Sequence, residues 1–577
     1  MTRSRGTWCS LRAHLAVLMF ATGLPLAPCA GAVPANAVRL ADYAGGHTTG
    51  TIIAGTYKHT IDPTNAENII ALPYAPAHPL LSFATGMRAF DRGGTVRFEI
   101  ALRPKSGPDV TLFDRSLTET GWSDEAIDLS PYPLDGAALV FRRTLVDGPT
   151  LRLLNTAWGD PVIVPSVGPP APSVILISLD TVRADRLGVT GDANARTPAV
   201  DRVAAEGVLY EQTYSPSTWT VPSHRSLFFG LYPAASNPDA TVPPGVPTPD
   251  TKKLRPLAER FRDAGYLTAG FTGGGYLSDN FGFGRGFDTY YMFEQPTGRC
   301  DPERFDGQQV ASRAVRWLQE RGHAPFFLFV HTYDAHDRCP FETPGSNGFA
   351  WGFVGAYRKR QASDYYDEVI GRADQLVAAI VRELDSLGLA QSTLVVVLSD
   401  HGEGFSEHGI IGHGPSLKPY EELTRVPLIL RYPGVVPAGQ RISTPVSLVD
   451  VAPSIVALFN LPSDARTDGH LLPGFPAPNP TAARSLFAQS DDLLAVRDGP
   501  HKLITSRTGA FPDEVYDLEH DRAETQNLAL TDTHLATALR QEAAEYWSHA
   551  PSVVQPPAGQ PRLDPETRER LRALGYQ

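Results

Sequence analysis

Five short, continuous apolar runs constrain this chain more than any other feature. They lie at 174–179, 267–271, 326–330, 394–398 and 426–430. Runs without polar alternation are typical of strands buried on both faces, as in parallel sheets that are covered by helices. Between them lie stretches with helical periodicity, at about 198–207, 251–264, 305–321 and 362–387. We therefore expect five buried parallel strands in a doubly wound, mostly parallel α/β sheet, with a ligand site at the carboxyl ends of its strands.

The flanking segments have a different character. Residues 38–164 show alternating patterns at 96–102, 138–142 and, less strictly, 151–154, with Gly and Pro between them. This pattern predicts an antiparallel β-sandwich domain over 38–164. A Pro-rich linker at 165–172 follows, and then the α/β domain at 173–483. The pattern over residues 484–577 predicts a small α+β C-terminal subdomain and tail. We expect a strand pair there (494–496, 502–504) and a helix near 535–547.

The first residues are typical of an export signal. Arginines precede an apolar run at 15–20, and small residues follow at 30–32. We predict a signal peptide over 1–32 and a periplasmic or extracellular protein. Neither this run nor any later stretch is long enough for a transmembrane anchor. A faint lipoprotein box ends at Cys29, so lipidation is the less favoured alternative. Cys300 and Cys339 could form a disulfide in an oxidising compartment.

Charge restricts the ligands. The formal net charge is −12, which argues against nucleic acid as a partner. An acidic surface does not attract anionic substrates either. An anion site in this chain needs local positive charge, most simply a metal ion.

Polar residues follow three of the apolar runs where the predicted strands end. Asp180 follows the first run, Asp400 and His401 follow the fourth, and His331 and His336 follow the third. A single residue of this kind is most often a helix cap or a loop charge. Three such groups at one sheet edge predict instead a site for a hard cation.

A loop that leads into a helix supplies a candidate nucleophile. We expect the stretch from Trp219 to Pro222 to be extended, because Pro222 disfavours helix at the preceding residue. Ser223 would then start the helix. The Thr220 hydroxyl would lie just ahead of the helix N-terminus, where an anionic ester is favoured. Alternatively, Thr220 and Ser223 are ordinary capping residues.

Several motifs, in this order, resemble the sulfatase family of the alkaline phosphatase superfamily. They are ISLDTVRAD at 177–185, TPAVDRVAAEG at 197–207, WTVPSHRSLFFGLYP at 219–233, SDHGE at 399–403 with HG at 408–409, YEELTRVPL at 420–428, and VYDL at 515–518 with NL at 527–528. The resemblance implies an alkaline-phosphatase-like fold for the α/β domain.

By this resemblance, one divalent cation (Ca²⁺, Mn²⁺ or Zn²⁺) is held by Asp180, Thr220, Asp400 and His401, with Thr220 as nucleophile. The resemblance also makes His336 a substrate-binding residue, and His413 takes the place of a family lysine. Either of these histidines could donate to the ester oxygens or protonate the leaving group. The remaining candidates are His224 in catalysis and His331 and Ser223 in substrate binding, although His331 is equally compatible with a supporting position.

The sequence also departs from the family pattern. Thr220 cannot become formylglycine, and His224 replaces the arginine of Cys-x-Pro-x-Arg, so we expect no formylglycine. Thr181 replaces the second of two paired aspartates, and the family's Gly-Lys-Trp-His stretch is absent. The unmodified threonine resembles phospho-transferring members of the superfamily.

Histidines together with one cation suit a singly charged ester better than a dianion. A sulfate monoester and a phosphodiester are both singly charged, so charge does not separate them. The family resemblance implies a sulfate ester hydrolase that acts on an anionic ester carried on a glycan or a lipid. The alternatives are a phosphodiesterase or phosphotransferase of the same superfamily, and an inactive glycan-binding envelope protein.

Overall fold

The computed structural model describes residues 37–44, 49–61, 65–89, 93–168, 170–236, 254–293, 306–336, 356–463, 466–475 and 484–549. The predicted signal peptide, Cys300, Cys339 and the end of the tail lie outside the described residues. Among the helices of the described ranges, none has both the length and the apolar character needed to span a membrane.

The N-terminal part is built from two antiparallel layers, a 3-10 turn at Leu40–Tyr43 and a single α-helical turn. Its elements are β1 (Val38–Arg39), β2 (Thr49–Ile53), β3 (Thr56–Thr60), β4 (Glu67–Ala71), β5 (Pro79–Met87), β6 (Thr95–Arg103), β7 (Val110–Leu117), β8 (Gly121–Asp128), β9 (Ala138–Asp147), α1 (Leu151–Leu154) and β10 (Thr156–Pro165). One layer has the order β4-β9-β6-β7, and β3, β10, β5 and β8 lie in the other. Trp158 is buried between the layers, with Phe83, Phe98 and Phe141 within 6 Å of its ring centre.

The predicted strand at 151–154 is wrong, because these residues form α1. Gly148 and Pro149 precede them and favour a turn. The Leu153 amide donates to the Thr150 carbonyl at 3.2 Å, which is a local, helix-like bond. Four residues without strict alternation are too few to specify a strand when a turn precedes them.

The middle part alternates strands and helices. Its elements are β11 (Ser173–Leu179), α2 (Pro198–Ala205), β12 (Val208–Tyr210), β13 (Thr213–Tyr214), α3 (Thr220–Phe229), α4 (Pro233–Ser236), α5 (Leu257–Asp263), β14 (Leu267–Thr272), β15 (Thr289–Met292), α6 (Asp306–Arg321), β16 (Phe326–Thr332), α7 (Ala356–Ser386), β17 (Thr393–Leu398), β18 (Gly404–Phe405), β19 (Ile411–Gly412), α8 (Glu421–Thr424), β20 (Arg425–Val426), β21 (Leu428–Arg431), β22 (Gln440–Ile442), β23 (Val446–Ser447) and α9 (Val451–Leu458).

These strands confirm the predicted α/β fold. The central order is β22-β12-β21-β17-β11-β16-β14-β15. Strands β17, β11, β16, β14 and β15 run parallel to one another. The interior side chains of α6 and α7 pack against those of β11, β14, β16 and β17 in one apolar core. Burial on both faces explains why these strands are continuous apolar runs.

The prediction of a fifth parallel strand at 426–430 is wrong. Strand β21 runs antiparallel to β17, and Arg425 and Val426 belong to a separate short strand that pairs with β13. Pro427, which has no amide hydrogen, separates the two strands. An apolar run reports burial and contains no information about strand direction.

The N-terminal layer continues the central sheet. Strand β15 pairs with β3 in antiparallel register, with Tyr291 opposite Thr56 and Thr289 opposite Lys58. Strands β3, β10, β5 and β8 therefore extend the sheet beyond its parallel part. This pairing joins residues on either side of the Pro-rich segment at 165–172, and it was not among the predictions from sequence.

The C-terminal part is an antiparallel sheet with one helix. Its elements are β24 (Leu486–Ser490), β25 (Leu493–Asp498), β26 (His501–Ser506), β27 (Glu514–Asp517) and α10 (Thr533–His549). The structure contains the expected strand pair as β25 and β26. The Thr218 hydroxyl donates to Ser490 Oγ at 2.9 Å, which ties this part to the loop before α3.

Candidate active site

Strand register brings the predicted polar residues together. Ser178 pairs with His331 on β16 and with Leu398 on β17. Asp180, His331 and Asp400 therefore emerge at one sheet edge. This is the edge at which a doubly wound sheet places its ligand site.

A fixed turn follows β11. Asp180 is fully buried, and Thr181 has a φ of +61°, which a β-branched residue rarely adopts. The Thr181 amide donates to Asp400 Oδ1 at 3.4 Å, and its carbonyl accepts the Tyr366 hydroxyl at 2.5 Å. These bonds hold the Asp180 carboxylate against the residues that follow β17.

Asp400 and His401 follow β17 directly, and both are fully buried. His401 Nδ1 donates to the Gly402 carbonyl at 2.9 Å. This bond leaves the lone pair on Nε2, which lies 3.4 Å from Asp400 Oδ2 and 3.9 Å from Asp180 Oδ1. An imidazole held in this tautomer is ready to bind a metal.

Thr220 is the first residue of α3, which begins three residues earlier than predicted. Trp219 is extended, with a φ of −159°, and the Ser223 amide donates to its carbonyl at 3.4 Å. Pro222 is tolerated because amides in a first helical turn have no partner within the helix. The expected extended stretch therefore ends at Trp219.

The Thr220 hydroxyl lies beside predicted metal ligands that follow two different strands, Asp180 after β11 and His401 after β17. Its Oγ1 donates toward Asp180 Oδ2 at 3.4 Å and is 3.3 Å from His401 Nε2. Thr220 is fully buried. The predicted nucleophile and the predicted ligands thus form one cluster.

This cluster fits a divalent cation. Ligand atoms of Asp180, Asp400 and His401 all lie within 4.8 Å of one another. Asp180 Oδ1 is buried without a hydrogen-bond partner among the described residues. Burial raises the pKa of Asp180 well above its ordinary value, and the Asp400 carboxylate raises it further. A cation would compensate two buried negative charges, and two carboxylates with an imidazole suit Mn²⁺ or Zn²⁺ as well as Ca²⁺.

His413 and His336 form a row of rings beside His401. The His413 ring centre is 4.4 Å from that of His401 and 4.6 Å from that of His336. His413 Nδ1 lies 2.8 Å from Glu403 Oε2, and both side chains are buried. The carboxylate favours a proton on Nδ1, which fixes the orientation of the ring.

His224 lies beneath the nucleophile. It is fully buried, with Nδ1 3.0 Å from the Thr220 carbonyl and 3.3 Å from Asp400 Oδ2. Its Nε2 is 3.0 Å from the Ser178 hydroxyl. Burial alone lowers the pKa of His224, but Asp400 outweighs this effect and the pKa is raised. All of these contacts are to the protein interior.

The two candidate substrate-binding residues also make internal contacts. The Ser223 hydroxyl donates to the Asp400 carbonyl at 2.6 Å and so ties α3 to the turn after β17. His331 Nε2 is 3.2 Å from Asp180 Oδ2, and its ring packs against Tyr333. These contacts support the ligands from behind.

The sequence analysis assigned no role to Ser178, Glu403 or Tyr366. Ser178 is two residues before Asp180 on β11, and residues two apart share a strand face. Glu403 lies within the quoted SDHGE motif. These signals could have identified Ser178 and Glu403. Tyr366 lies on α7, and nothing in the sequence connects it to Thr181.

A family model described as Sulfatase matches residues 172–461, which is half of the chain. The chain belongs to the sulfatase family. It is 25% identical over 359 residues to the uncharacterized sulfatase YidJ of Escherichia coli, covering 50% of this chain and 68% of that protein. It is 25% identical over 330 residues to an ulvan-active sulfatase of Formosa agariphila, covering 51% and 62%.

The fold of this sulfatase-family chain also resembles solved structures. The crystal structure of a phosphonate monoester hydrolase of Agrobacterium radiobacter has a TM-score of 0.50 and 21% identity, covering 66% of this chain and 95% of that one. At this identity the likeness concerns the fold alone.

Proposed function

We propose that this protein is an exported, metal-dependent hydrolase that cleaves a sulfate ester with unmodified Thr220 as its nucleophile. The observation that carries the proposal is the position of Thr220. Thr220 is the first residue of α3. Its hydroxyl lies 3.3 Å from His401 Nε2 and 3.4 Å from Asp180 Oδ2. A helix N-terminus and a cation site on the same hydroxyl favour an anionic ester at this point.

Asp180, Asp400, His401 and Thr220 would hold the cation. When bound, it would lower the pKa of the Thr220 hydroxyl and offset negative charge on the ester oxygens. The Thr220 hydroxyl passes its proton to solvent water and its oxygen attacks sulfur. The bond from sulfur to the leaving oxygen breaks as His413 or His336 protonates that oxygen. Water cleaves the sulfo-threonine, which releases sulfate and restores the hydroxyl.

His413 and His336 are the proposed donors to the ester and the leaving group. They are next to His401, and Glu403 keeps the His413 ring in place. A leaving alkoxide needs a proton, and imidazole donates one near neutral pH. His224, Ser223 and His331 contact the protein around the ligands, so we assign them to positioning these groups rather than to contact with substrate.

Charge restricts the substrate to a singly charged ester. A histidine, His413, stands where the family commonly has a sulfate-binding lysine, so the local positive charge is small. A sulfate monoester carries one negative charge, which suits this site better than a doubly charged phosphomonoester. Because one relative is an ulvan-active sulfatase, we propose a sulfated glycan as the carrier of the ester.

A phosphodiesterase or phosphotransferase is the second candidate. The unmodified hydroxyl of Thr220 favours it, since phosphoryl transfer needs no aldehyde at the nucleophile. A phosphodiester also carries one negative charge. In a transferase, an acceptor hydroxyl would replace water in the second step.

A substrate panel tests both candidates. Purified protein would be assayed with an aryl sulfate, a bis-aryl phosphate and an aryl phosphonate ester, each with Mn²⁺, Ca²⁺ or Zn²⁺. We expect the aryl sulfate to be cleaved fastest, and faster cleavage of the diester would favour the second candidate. Thr220→Ala should abolish activity and Thr220→Ser should keep part of it. Full activity in Thr220→Ala contradicts the nucleophile assignment.

A protein that binds metal and glycan but cleaves none of these esters would support the remaining alternative, an inactive binding protein. The buried ligand cluster argues against this outcome, because two carboxylates close together in the protein interior are costly to keep without a role.

A further inference from the structure

A cavity lies away from the catalytic cluster, between α6 and the N-terminal strands. Its volume is about 240 Å³. One wall is a stripe of α6 side chains three or four residues apart, which places them on one helix face. The stripe consists of Gln309, Arg313, Arg316 and Glu320. The floor comes from β3, β8 and β15, where the N-terminal layer continues the central sheet.

The floor holds a tryptophan in a fixed position. Trp122 lies over Gly86, its partner across β5 and β8, and over Gly159 on β10. A Cβ on Gly86 would come within 2.3 Å of the indole, and one on Gly159 within 2.6 Å. The indole Nε1 donates to the Thr56 carbonyl at 3.0 Å. The two glycines therefore let the ring lie close against the sheet, where it is half-buried and lines the cavity.

Charge in the cavity is almost fully paired. Lys58 contacts Asp124 at 2.9 Å, and Arg321 pairs with Asp160. Arg316 lies 3.3 Å from Glu320. Arg313 is the exception.

Arg313 is exposed, and its guanidinium carbon lies 4.3 Å from the centre of the Tyr291 ring. It forms no ion pair with any carboxylate that the structure describes. The aromatic ring orients the guanidinium without neutralising it. Arg313 therefore offers one cation to an anionic group at the edge of the cavity.

We propose that this cavity binds one anionic sugar unit of a glycan chain. The half-buried ring of Trp122 lines the cavity and offers apolar surface to a sugar ring. Gln309 and Ser312, both exposed on α6, can exchange hydrogen bonds with sugar hydroxyls. Arg313 pairs with a sulfate or carboxylate group. The inference does not depend on the proposed catalysis, because the cavity shares no residue with the catalytic cluster.

Binding to a catalytically disabled chain tests this inference. Full-length Thr220→Ala protein would be titrated by calorimetry with hexasaccharides of chondroitin 6-sulfate, hyaluronan and neutral cellulose. We expect saturable binding of at least one anionic hexasaccharide and none of the neutral one. Arg313→Glu should weaken that binding about tenfold or more, since an attractive charge becomes a repulsive one.

Two further variants make the result decisive. Trp122→Ala should weaken binding to a similar extent, and Arg313→Glu keeps the test valid if Trp122→Ala fails to fold. Arg382→Glu is the matched control, because Arg382 is an exposed arginine on α7 outside the cavity. The proposal is overturned if neither anionic hexasaccharide binds, if Arg313→Glu leaves binding unchanged, or if Arg382→Glu weakens it equally.

Discussion

The imidazole of His224 supports the backbone of Thr220 from below, with 3.0 Å between His224 Nδ1 and the Thr220 carbonyl oxygen. Nε2 of the same ring contacts Ser178 on β11. One buried side chain thus connects the nucleophile turn to the strand that supplies Asp180. In the formylglycine pattern an arginine takes this position in the motif.

We predict that His224→Ala lowers kcat by about 100-fold, because small displacements of a nucleophile have effects of that size. KM should change little, since His224 contacts the protein interior. His224→Asn should recover part of kcat, because its amide nitrogen can replace Nδ1. Steady-state kinetics with the best panel substrate measures this. Phe329→Leu, beside the His224 ring, is the control for packing, and an equal loss of kcat in this variant would contradict the assignment.

Metal binding should be visible in stability. In metal-free protein, Asp180→Asn should raise Tm by about 2 °C or more, because it removes one of two buried like charges. The same variant should lose most of the stabilisation that Mn²⁺ or Zn²⁺ gives the wild-type protein. Thermal unfolding with EDTA and with each metal measures both effects. A metal response in Asp180→Asn equal to wild type would exclude Asp180 as a ligand.

His408 should make the free energy of unfolding depend on pH. Both ring nitrogens of His408 face acceptors, namely Glu422 Oε1 at 2.7 Å and the carbonyls of Ala523 and Glu524. Burial lowers the pKa of His408, but Glu422 outweighs this and raises it to about 9. The folded pKa exceeds the unfolded value, so the stabilisation is complete below about pH 6.5 and is lost as pH rises through about 9.

We expect this loss to be about 1–2 kcal/mol, allowing for solvent screening of a partly exposed pair. Urea unfolding at pH 6.5 and pH 9.5 measures it. His408→Gln should reduce the difference between the two pH values. His520→Gln, which changes an exposed histidine paired with Asp517, is the control. A pH dependence that persists unchanged in His408→Gln would contradict this prediction.

The central strands and the meeting of polar residues at one edge could be predicted from the sequence, because one physical rule covers both. Parallel strands that are buried on both faces must be apolar, and polar residues at their carboxyl ends meet at one edge. Asp180, His331 and Asp400 satisfy that rule. The direction of β21 could not be predicted in this way, since apolar content reports burial only.

Two other features depend on long-range packing. The pairing of β15 with β3 uses backbone hydrogen bonds between distant segments, and these leave no mark on side-chain type. The inward position of His224 also depends on the surrounding fold. Its spacing of four residues from Thr220 places both on one helix face, but the burial of that face depends on β11 and on the turn after β17.

Glu403 should act through His413. Glu403→Gln keeps the shape but replaces the carboxylate that holds Nδ1, so we expect kcat to fall about tenfold. Glu403→Ala should cost more, because it removes the whole side chain that contacts His413 Nδ1. The ratio of the two kcat values, together with the pH profile, distinguishes this role from simple packing. Unchanged kcat in Glu403→Ala would remove Glu403 from the mechanism.

Thr181 stands where the family pattern has a second paired aspartate, and its φ of +61° suits Asp or Asn better than a β-branched residue. Thr181→Asp should therefore relieve backbone strain but add a third carboxylate beside Asp180 and Asp400. We expect lower metal-free stability and a larger stabilisation by Ca²⁺ relative to Mn²⁺, because Ca²⁺ prefers many oxygen ligands. Thr181→Asn gives the strain relief without the charge and should leave the metal preference unchanged. Thermal titrations with both metals decide the matter, and an equal shift toward Ca²⁺ in Thr181→Asn would show that strain, rather than ligand charge, sets the preference.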